Sequence, residues 1–139
     1  MKALAEQIGA TERVFLIGAE LRKRTGADLT ETMAELAELA RTAGAQIIGE
    51  GTQLLDRPHA ATYIGKGKAN EFAETCKQGD VDTVIFDDEL SPAQTRNLER
   101  VFDCKVLDRT ALILDIFAQR ARTREGKMQI EMAQLQHIL

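Results

Sequence analysis

The sequence has no tryptophan, one tyrosine and five phenylalanines, so aromatic residues make up 4% of its 139 positions. Platforms that stack unpaired bases on aromatic rings are therefore not expected. Its two cysteines, Cys76 and Cys104, lack CxxC spacing and neighbouring histidines, which argues against zinc and favours buried, reduced thiols. No apolar run approaches the roughly 20 residues of a membrane span, and no signal-peptide apolar region is present. These absences predict a cytoplasmic protein.

Residues for catalysis are equally scarce. The two histidines, His59 and His137, lie in distant segments, and Ser91 is explained by helix capping, so no nucleophile and base form a pair. The spacing of Gly44 and Gly49 matches the start of a P-loop. Glu50 and Gly51 follow, however, where a P-loop needs lysine and serine or threonine. We predict no catalytic residue, no metal ligand and no cofactor within this chain.

The apolar residues that are present alternate between strand-like runs and helical spacing. Strands are predicted at residues 13–19, 45–55, 62–64, 81–86 and 105–107. Helices are predicted between them, the first capped by Thr30 and ended by Gly44, and another opened by Ser91 with Gln94 as a capping box. This rhythm indicates an α/β fold, a parallel sheet of about four strands with flanking helices.

The pattern changes near the carboxyl terminus. We predict an α/β domain at residues 1–109 and, at residues 110–139, the start of a long helix of an incomplete helical hairpin. An apolar stripe with 4-3-4 spacing supports the second part: Met128, Met132, Leu135 and Leu139. A stripe of this kind needs a second helix, so we expect the natural protein to continue beyond it. Self-association through the stripe is the alternative.

Two groups of cations are candidates for phosphate contacts. The first is a run near the carboxyl terminus that contains Arg120, Arg122, Arg124 and Lys127. The second is the turn Gly65-Lys66-Gly67-Lys68 before a predicted helix, where Lys66 and Lys68 and free backbone N–H groups could hold a phosphate. Solvated surface residues are the alternative for both groups. A net charge of −4 argues against non-specific nucleic-acid binding.

Three long segments resemble one known family. Residues 61–68 (ATYIGKGK), 86–99 (FDDELSPAQTRNLE) and 108–127 (DRTALILDIFAQRARTREGK) are similar to the HflX-type GTPases, ribosome-associated GTP-binding proteins. The resemblance spans nearly the whole chain. It implies an N-terminal α/β domain, then a helical hairpin, then a G domain that binds GTP and Mg²⁺ and is absent from this chain.

The resemblance also implies a function. Members bind the large ribosomal subunit, and some split stalled or stressed ribosomes. We therefore expect a ribosome-docking and regulatory domain that contacts ribosomal RNA and the protein's own G domain, with the two cation groups above as candidate RNA contacts. Two alternatives stay open. The chain could bind adenine nucleotides at the sheet edge near Gly65–Lys68 and Asp87–Glu89 with an ATPase-like activity, or it could be a scaffold that only regulates the G domain.

Overall fold

The computed structural model describes residues 12–22 and 28–121. Within them, four strands and four helices alternate along the chain. The elements are β1 (Arg13–Leu21), α1 (Leu29–Thr42), β2 (Gln46–Leu55), α2 (Lys66–Gln78), β3 (Thr83–Phe86), α3 (Pro92–Phe102), β4 (Lys105–Asp108) and α4 (109–121). The α/β class is confirmed.

The four strands form one parallel sheet in the order β2-β1-β3-β4. β1 lies at the centre, where Val14 is the register partner of Thr83 and Thr83 that of Lys105. A register shift between Val14 and Phe15 interrupts the β1–β2 pairing. Among the described residues, no helix has both the length and the apolar character that a membrane crossing requires.

The alternation of side chains along β1 separates the core into two layers. Val14 and Leu16 pack with α1 and α4, whereas Phe15 and Ile17 pack with α2 and α3. All four of these side chains are buried. The first layer contains the buried residues of α1 and the residue that ends it, namely Met33, Leu36, Ala37, Ala40 and Ala43. Each face of the sheet is therefore covered by two helices, as is usual for parallel sheets.

The helix ends follow local chemistry, with one correction. Ser91 and Gln94 form the predicted capping box of α3, and Gly44 has a φ of 89° after the end of α1. The prediction that Thr30 caps α1 is wrong. The cap is Asp28, whose carboxylate accepts a hydrogen bond of 2.9 Å from the Thr30 N–H. An aspartate two residues earlier satisfies the same free donors and also complements the helix dipole.

The strand predicted at residues 62–64 is also absent. Here the chain makes a tight turn in which His59 and Tyr63 form an isolated antiparallel bridge. Tyr63 has a φ of 63°, in the left-handed region, which no strand residue adopts. The β-branched and aromatic residues of this segment favour a strand, but its contacts with α3 impose a turn.

Helix α4 follows β4 without an intervening loop. Its Leu112 and Ile116 are buried in the same layer as α1, so the helical part predicted to begin at residue 110 packs against the sheet in its first two turns. Leu114 and Phe117 face outward, with exposures of 62% and 63%. The stripe from Met128 to Leu139 lies outside the described residues.

Candidate functional site at the carboxyl edge of the sheet

The strands of a parallel sheet all end at one edge, where ligands bind in α/β folds. β1 connects to β2 on one side and β3 connects to β4 on the other, so the order in which strands are added to the sheet reverses between β1 and β3. Such a switch point is the usual place for a ligand. Asp87 follows β3, Asp108 ends β4 and Arg109 begins α4, which brings three charged side chains to this edge.

Arg109 occupies the switch point through four different contacts. Its guanidinium donates to Asp87 Oδ1 from Nε at 2.9 Å and from Nη2 at 2.5 Å. It also donates to the Thr32 carbonyl at 2.6 Å and to Glu35 Oε2 at 3.3 Å, both on α1. The side chains of Asp87 and Arg109 are only 10% and 26% exposed. The arginine therefore joins α1, the end of β3 and the start of α4.

Asp108 has a structural role at the same edge. Its Oδ1 accepts from the Ala111 N–H at 2.8 Å at the start of α4, and its Oδ2 accepts from the Leu90 N–H at 3.0 Å. The sequence alone did not single out Arg109 or Asp108 as site residues. Their partners are remote in sequence, since Arg109 and Thr32 are 77 positions apart. The only available signal was their position at the end of a predicted strand.

The GTP and Mg²⁺ implied by the family resemblance do not fit the described residues. Gly49 and Gly51 lie inside β2, not in a loop before a helix, and a Cβ on Gly51 would lie 2.5 Å from the Phe72 ring. Gly51 allows close packing of β2 on Phe72 of α2, and a Cβ on Gly49 would lie 3.2 Å from the Phe15 ring of β1. The carboxylate of Asp87 is the group that could serve as a metal ligand at this edge, but it accepts hydrogen bonds from Arg109 instead.

The turn of glycines and lysines begins α2. Gly65 is the cap residue, and its N–H donates to Gln53 Oε1 at 2.9 Å. Lys68 lies 5.3 Å from the centre of the Phe72 ring and 3.4 Å from Glu71. Lys66 is exposed and makes no ion pair with any residue that the structure describes. Of the two lysines, Lys66 is the one that remains available for a phosphate.

The two predicted cation groups do not meet. Lys66 and Lys68 lie at the carboxyl edge on the layer of α2 and α3, whereas Arg120 is exposed on α4, on the opposite layer. The α4 helix runs away from the carboxyl edge, because Asp115 already approaches Lys105 at the start of β4. Arg122, Arg124 and Lys127 lie outside the described residues. No single patch therefore contains both Lys66 and Arg120.

Both thiols are free and unactivated. Burial raises the pKa of the Cys76 thiol to about 12, and Cys104 adds a smaller effect in the same direction. Burial also raises the pKa of Cys104 to about 11, although a backbone hydrogen bond from Val84 opposes it. Thiolate nucleophiles need a lowered pKa, so neither residue is suited to covalent catalysis.

A second polar cluster lies at the amino end of the sheet. Glu12 is 3% exposed, and its carboxylate accepts a hydrogen bond from the Thr83 hydroxyl. Burial raises the pKa of Glu12, and the nearby charges of Asp82 and Asp115 act in the same direction. The Thr83 hydrogen bond and the Lys105 ammonium oppose this shift. Lys105 Nζ also lies 3.9 Å from Asp115 Oδ2, which ties α4 to the start of β4.

Comparison with known proteins gives one consistent family. A family model described as "GTP-binding GTPase N-terminal" matches residues 30–118. The GTPase HflX of Escherichia coli is 51% identical over 108 residues, covering 78% of this chain and 25% of that protein. The GTPase HflX of Lacrimispora saccharolytica is 46% identical over 137 residues, covering 99% of this chain and 32% of that protein.

Part of a solved structure has a fold similar to that of this chain. It is that of a GTP-binding protein from the archaeon Sulfolobus solfataricus in complex with GDP, with a TM-score of 0.60 and 25% identity. The match covers 91% of this chain and 37% of that one. This chain thus spans between a quarter and two-fifths of the length of these relatives.

Proposed function

The chain belongs to the GTP-binding GTPase N-terminal family, and from this premise we propose that it is the ribosome-docking and regulatory domain of an HflX-type GTPase. In this proposal it contacts the RNA of the large ribosomal subunit and helps the full-length protein to split stalled or stressed ribosomes in the cytoplasm. GTP and Mg²⁺ bind to a G domain outside these 139 residues, and the chain itself catalyses no reaction.

One observation carries the proposal, namely that Arg109 fills the place where such a sheet would bind a substrate. Its contacts with Asp87, Thr32 and Glu35 use the polar groups at the switch point for structure. Exposed cations lie away from this crevice, and the candidates Lys66 and Arg120 are among them. A protein with an occupied ligand crevice and outward cations is suited to docking on a polyanion.

The adenine-nucleotide alternative has less support. It needs the N–H groups at the start of α2 and the acids after β3, but the Gly65 N–H is bound by Gln53 and Asp87 by Arg109. We therefore favour docking. The scaffold alternative differs from it only in predicting no RNA affinity, so the same experiment separates the two.

The test is co-sedimentation of this chain with purified large ribosomal subunits over a salt series. Binding should weaken as salt rises, because phosphate contacts release counterions. Replacing Arg120, Arg122 and Arg124 by alanine should weaken it further. A matched control replaces Arg41, Lys77 and Arg100, one cation from the last turn of each of α1, α2 and α3, and changes the net charge equally.

The outcomes are distinct. Weaker binding of the first triple variant than of the control would support docking through Arg120, Arg122 and Arg124. Equal binding of both triple variants would exclude those cations as the contact. A folded chain that does not sediment with subunits at any salt concentration would contradict docking and favour the scaffold role.

A further inference from the structure

The loop between β2 and α2, residues 56–65, has an unusual combination of exposure and constraint. Its residues 56–61 are exposed. Yet His59 and Tyr63 exchange two backbone hydrogen bonds, each of 2.9 Å. Tyr63 is 7% exposed and holds a φ of 63°, which is disfavoured for any residue with a large side chain. The two hydrogen bonds and the burial of Tyr63 therefore restrain an otherwise exposed loop.

Helix α3 fixes the loop from outside. Gln94 Nε2 donates to the His59 carbonyl at 3.0 Å, and Asn97 Nδ2 donates to the Ala61 carbonyl at 3.0 Å. Both side chains come from the first two turns of α3, which begins with the capping box. Strained backbone that is held by neighbouring elements is a recurrent feature of binding sites, because it lowers the entropy cost of binding.

An open hollow of about 680 Å³ lies beside this loop, at the carboxyl edge of β1 and β2. Its polar wall includes Arg22, Arg57 and His59, and its apolar wall includes Leu54 and Pro58. This volume is within the range of small-ligand sites. The hollow is distinct from the switch point that Arg109 occupies, since none of its lining residues contacts Arg109.

The charges of the hollow favour an anion. Arg22 pairs with Asp56 at 2.8 Å, so these two charges largely cancel. Arg57 is exposed and makes no ion pair or hydrogen bond with the rest of the described chain, which leaves its whole guanidinium for a ligand. Leu54 is 48% exposed, an unusual state for a strand leucine. An arginine fork beside a bare apolar surface fits a ligand that has both a phosphate and a flat apolar part.

We propose that this hollow binds one unpaired nucleotide of a single-stranded RNA segment. Arg57 and His59 hold the phosphate, and the base lies against Leu54 and Pro58. Lys66, at the start of α2 on the same sheet edge, takes a neighbouring phosphate. This proposal rests on the proposed function, which supplies RNA as the partner. It adds that the hollow is the surface that binds RNA and that the RNA is single-stranded. Duplex RNA is excluded because its bases are stacked inside the helix.

The experiment measures fluorescence anisotropy with a short labelled oligouridylate, a duplex RNA of the same length, and unlabelled UMP as competitor. The wild-type chain should bind the single strand more tightly than the duplex. Arg57→Ala should weaken this binding by roughly tenfold, since a charge-assisted arginine–phosphate contact is lost. It should also reduce the slope of log K against log salt by about 0.7, the value for one phosphate of a single strand.

The matched control is Arg100→Ala, which removes one exposed arginine from the last turn of α3 and should leave binding unchanged. Urea unfolding of both variants, whose changed side chains are exposed, should coincide with that of the wild type. The site is overturned if both variants bind alike, if the duplex binds as tightly as the single strand, or if no RNA binds. If UMP competes as well as the unlabelled oligonucleotide, the ligand of the hollow is a free nucleotide and not a nucleotide within an RNA chain.

Failure of the site and failure of the proposed function can be told apart. If the wild type sediments with ribosomal subunits but Arg57→Ala matches Arg100→Ala on the oligonucleotide, docking stands and this hollow is not its contact. If Arg57→Ala weakens oligonucleotide binding and the wild type does not sediment, the RNA site stands and ribosome docking is wrong.

Discussion

Arg109 joins three separate parts of the described fold. It bonds to Asp87 after β3 and to Thr32 and Glu35 on α1, and it begins α4. Asp87 is only 10% exposed, and its Oδ1 accepts two hydrogen bonds from the guanidinium beside it. Losing one partner of such a pair costs far more than losing a solvent-exposed ion pair.

We predict that Arg109→Ala lowers the free energy of unfolding by about 3 kcal/mol, because it leaves the Asp87 carboxylate without its partner. Urea denaturation followed by circular dichroism measures this. The control is Arg41→Ala, whose pair with Glu38 is exposed on both sides and should be worth at most about 0.5 kcal/mol. Equal losses in the two variants would show that Arg109 contributes no more than a surface residue.

Glu12 predicts a pH dependence of stability. Burial raises its pKa above the 4.5 of an exposed glutamate, so the folded state favours the protonated form. The stability from this preference is fully present below pH 4.5 and is lost as the pH rises through the raised pKa. Glu12→Gln, which keeps a hydrogen-bonding partner for Thr83, should remove this loss.

The measurement is the urea midpoint of wild type and Glu12→Gln from pH 4.5 upward. The two curves should diverge with rising pH, with the variant the more stable. Parallel curves would mean that Glu12 has the same pKa in the folded and unfolded chain.

At the scale of elements, the sequence predicted those features that depend only on residues close together in the chain. The capping box of α3 needs only Ser91 and Gln94, and the buried side of α1 follows from helical spacing. The turn at Tyr63 could not be predicted, because Gln94 and Asn97 act on it from more than 30 positions away. The contacts of Arg109 were missed for the same reason. Sequence patterns thus give the elements, but not the long-range contacts that shape the edge.

Two glycines on neighbouring elements should respond oppositely to alanine. A Cβ on Gly51 of β2 would lie 2.5 Å from the buried Phe72 ring, so Gly51→Ala should cost about 1–3 kcal/mol through overpacking. A Cβ on Gly67 of α2 meets nothing within 4 Å, so Gly67→Ala should stabilise the chain by about 0.5–1 kcal/mol. Thermal unfolding of both variants tests this, and a shift of the same sign in both would contradict the packing of α2 on β2.

At the scale of the whole molecule, the two layers divide the surface into separate regions. The hollow and Lys66 lie at the carboxyl edge, and Arg120 lies on the layer of α1 and α4. The proposed RNA-binding role therefore involves at least two surface regions, one at the hollow and one at Arg120, and each would contribute separately to the affinity for RNA. Substitutions at Arg57 and at Arg120 should weaken binding additively, as expected for distant sites.

We predict no GTP turnover by this chain, because no P-loop occurs in its sequence. Release of phosphate from GTP by the purified chain is the measurement. The Arg109→Ala variant is the matched control, since it frees Asp87 but supplies no phosphate-binding loop and should stay equally inactive. Turnover that copurifies with the folded wild-type chain would contradict this.

The direct passage from β4 into α4 has a mechanical consequence. With no loop between them, the helix cannot swing without moving the strand, and the described part of α4 is a stiff rod of about 20 Å. Arg109 fixes the first residue of α4 through its hydrogen bond to α1, and the Lys105–Asp115 ion pair fixes the helix again six residues later. We therefore expect a force on the far end of α4 to reach Asp87 and α1 through Arg109, which donates hydrogen bonds to both.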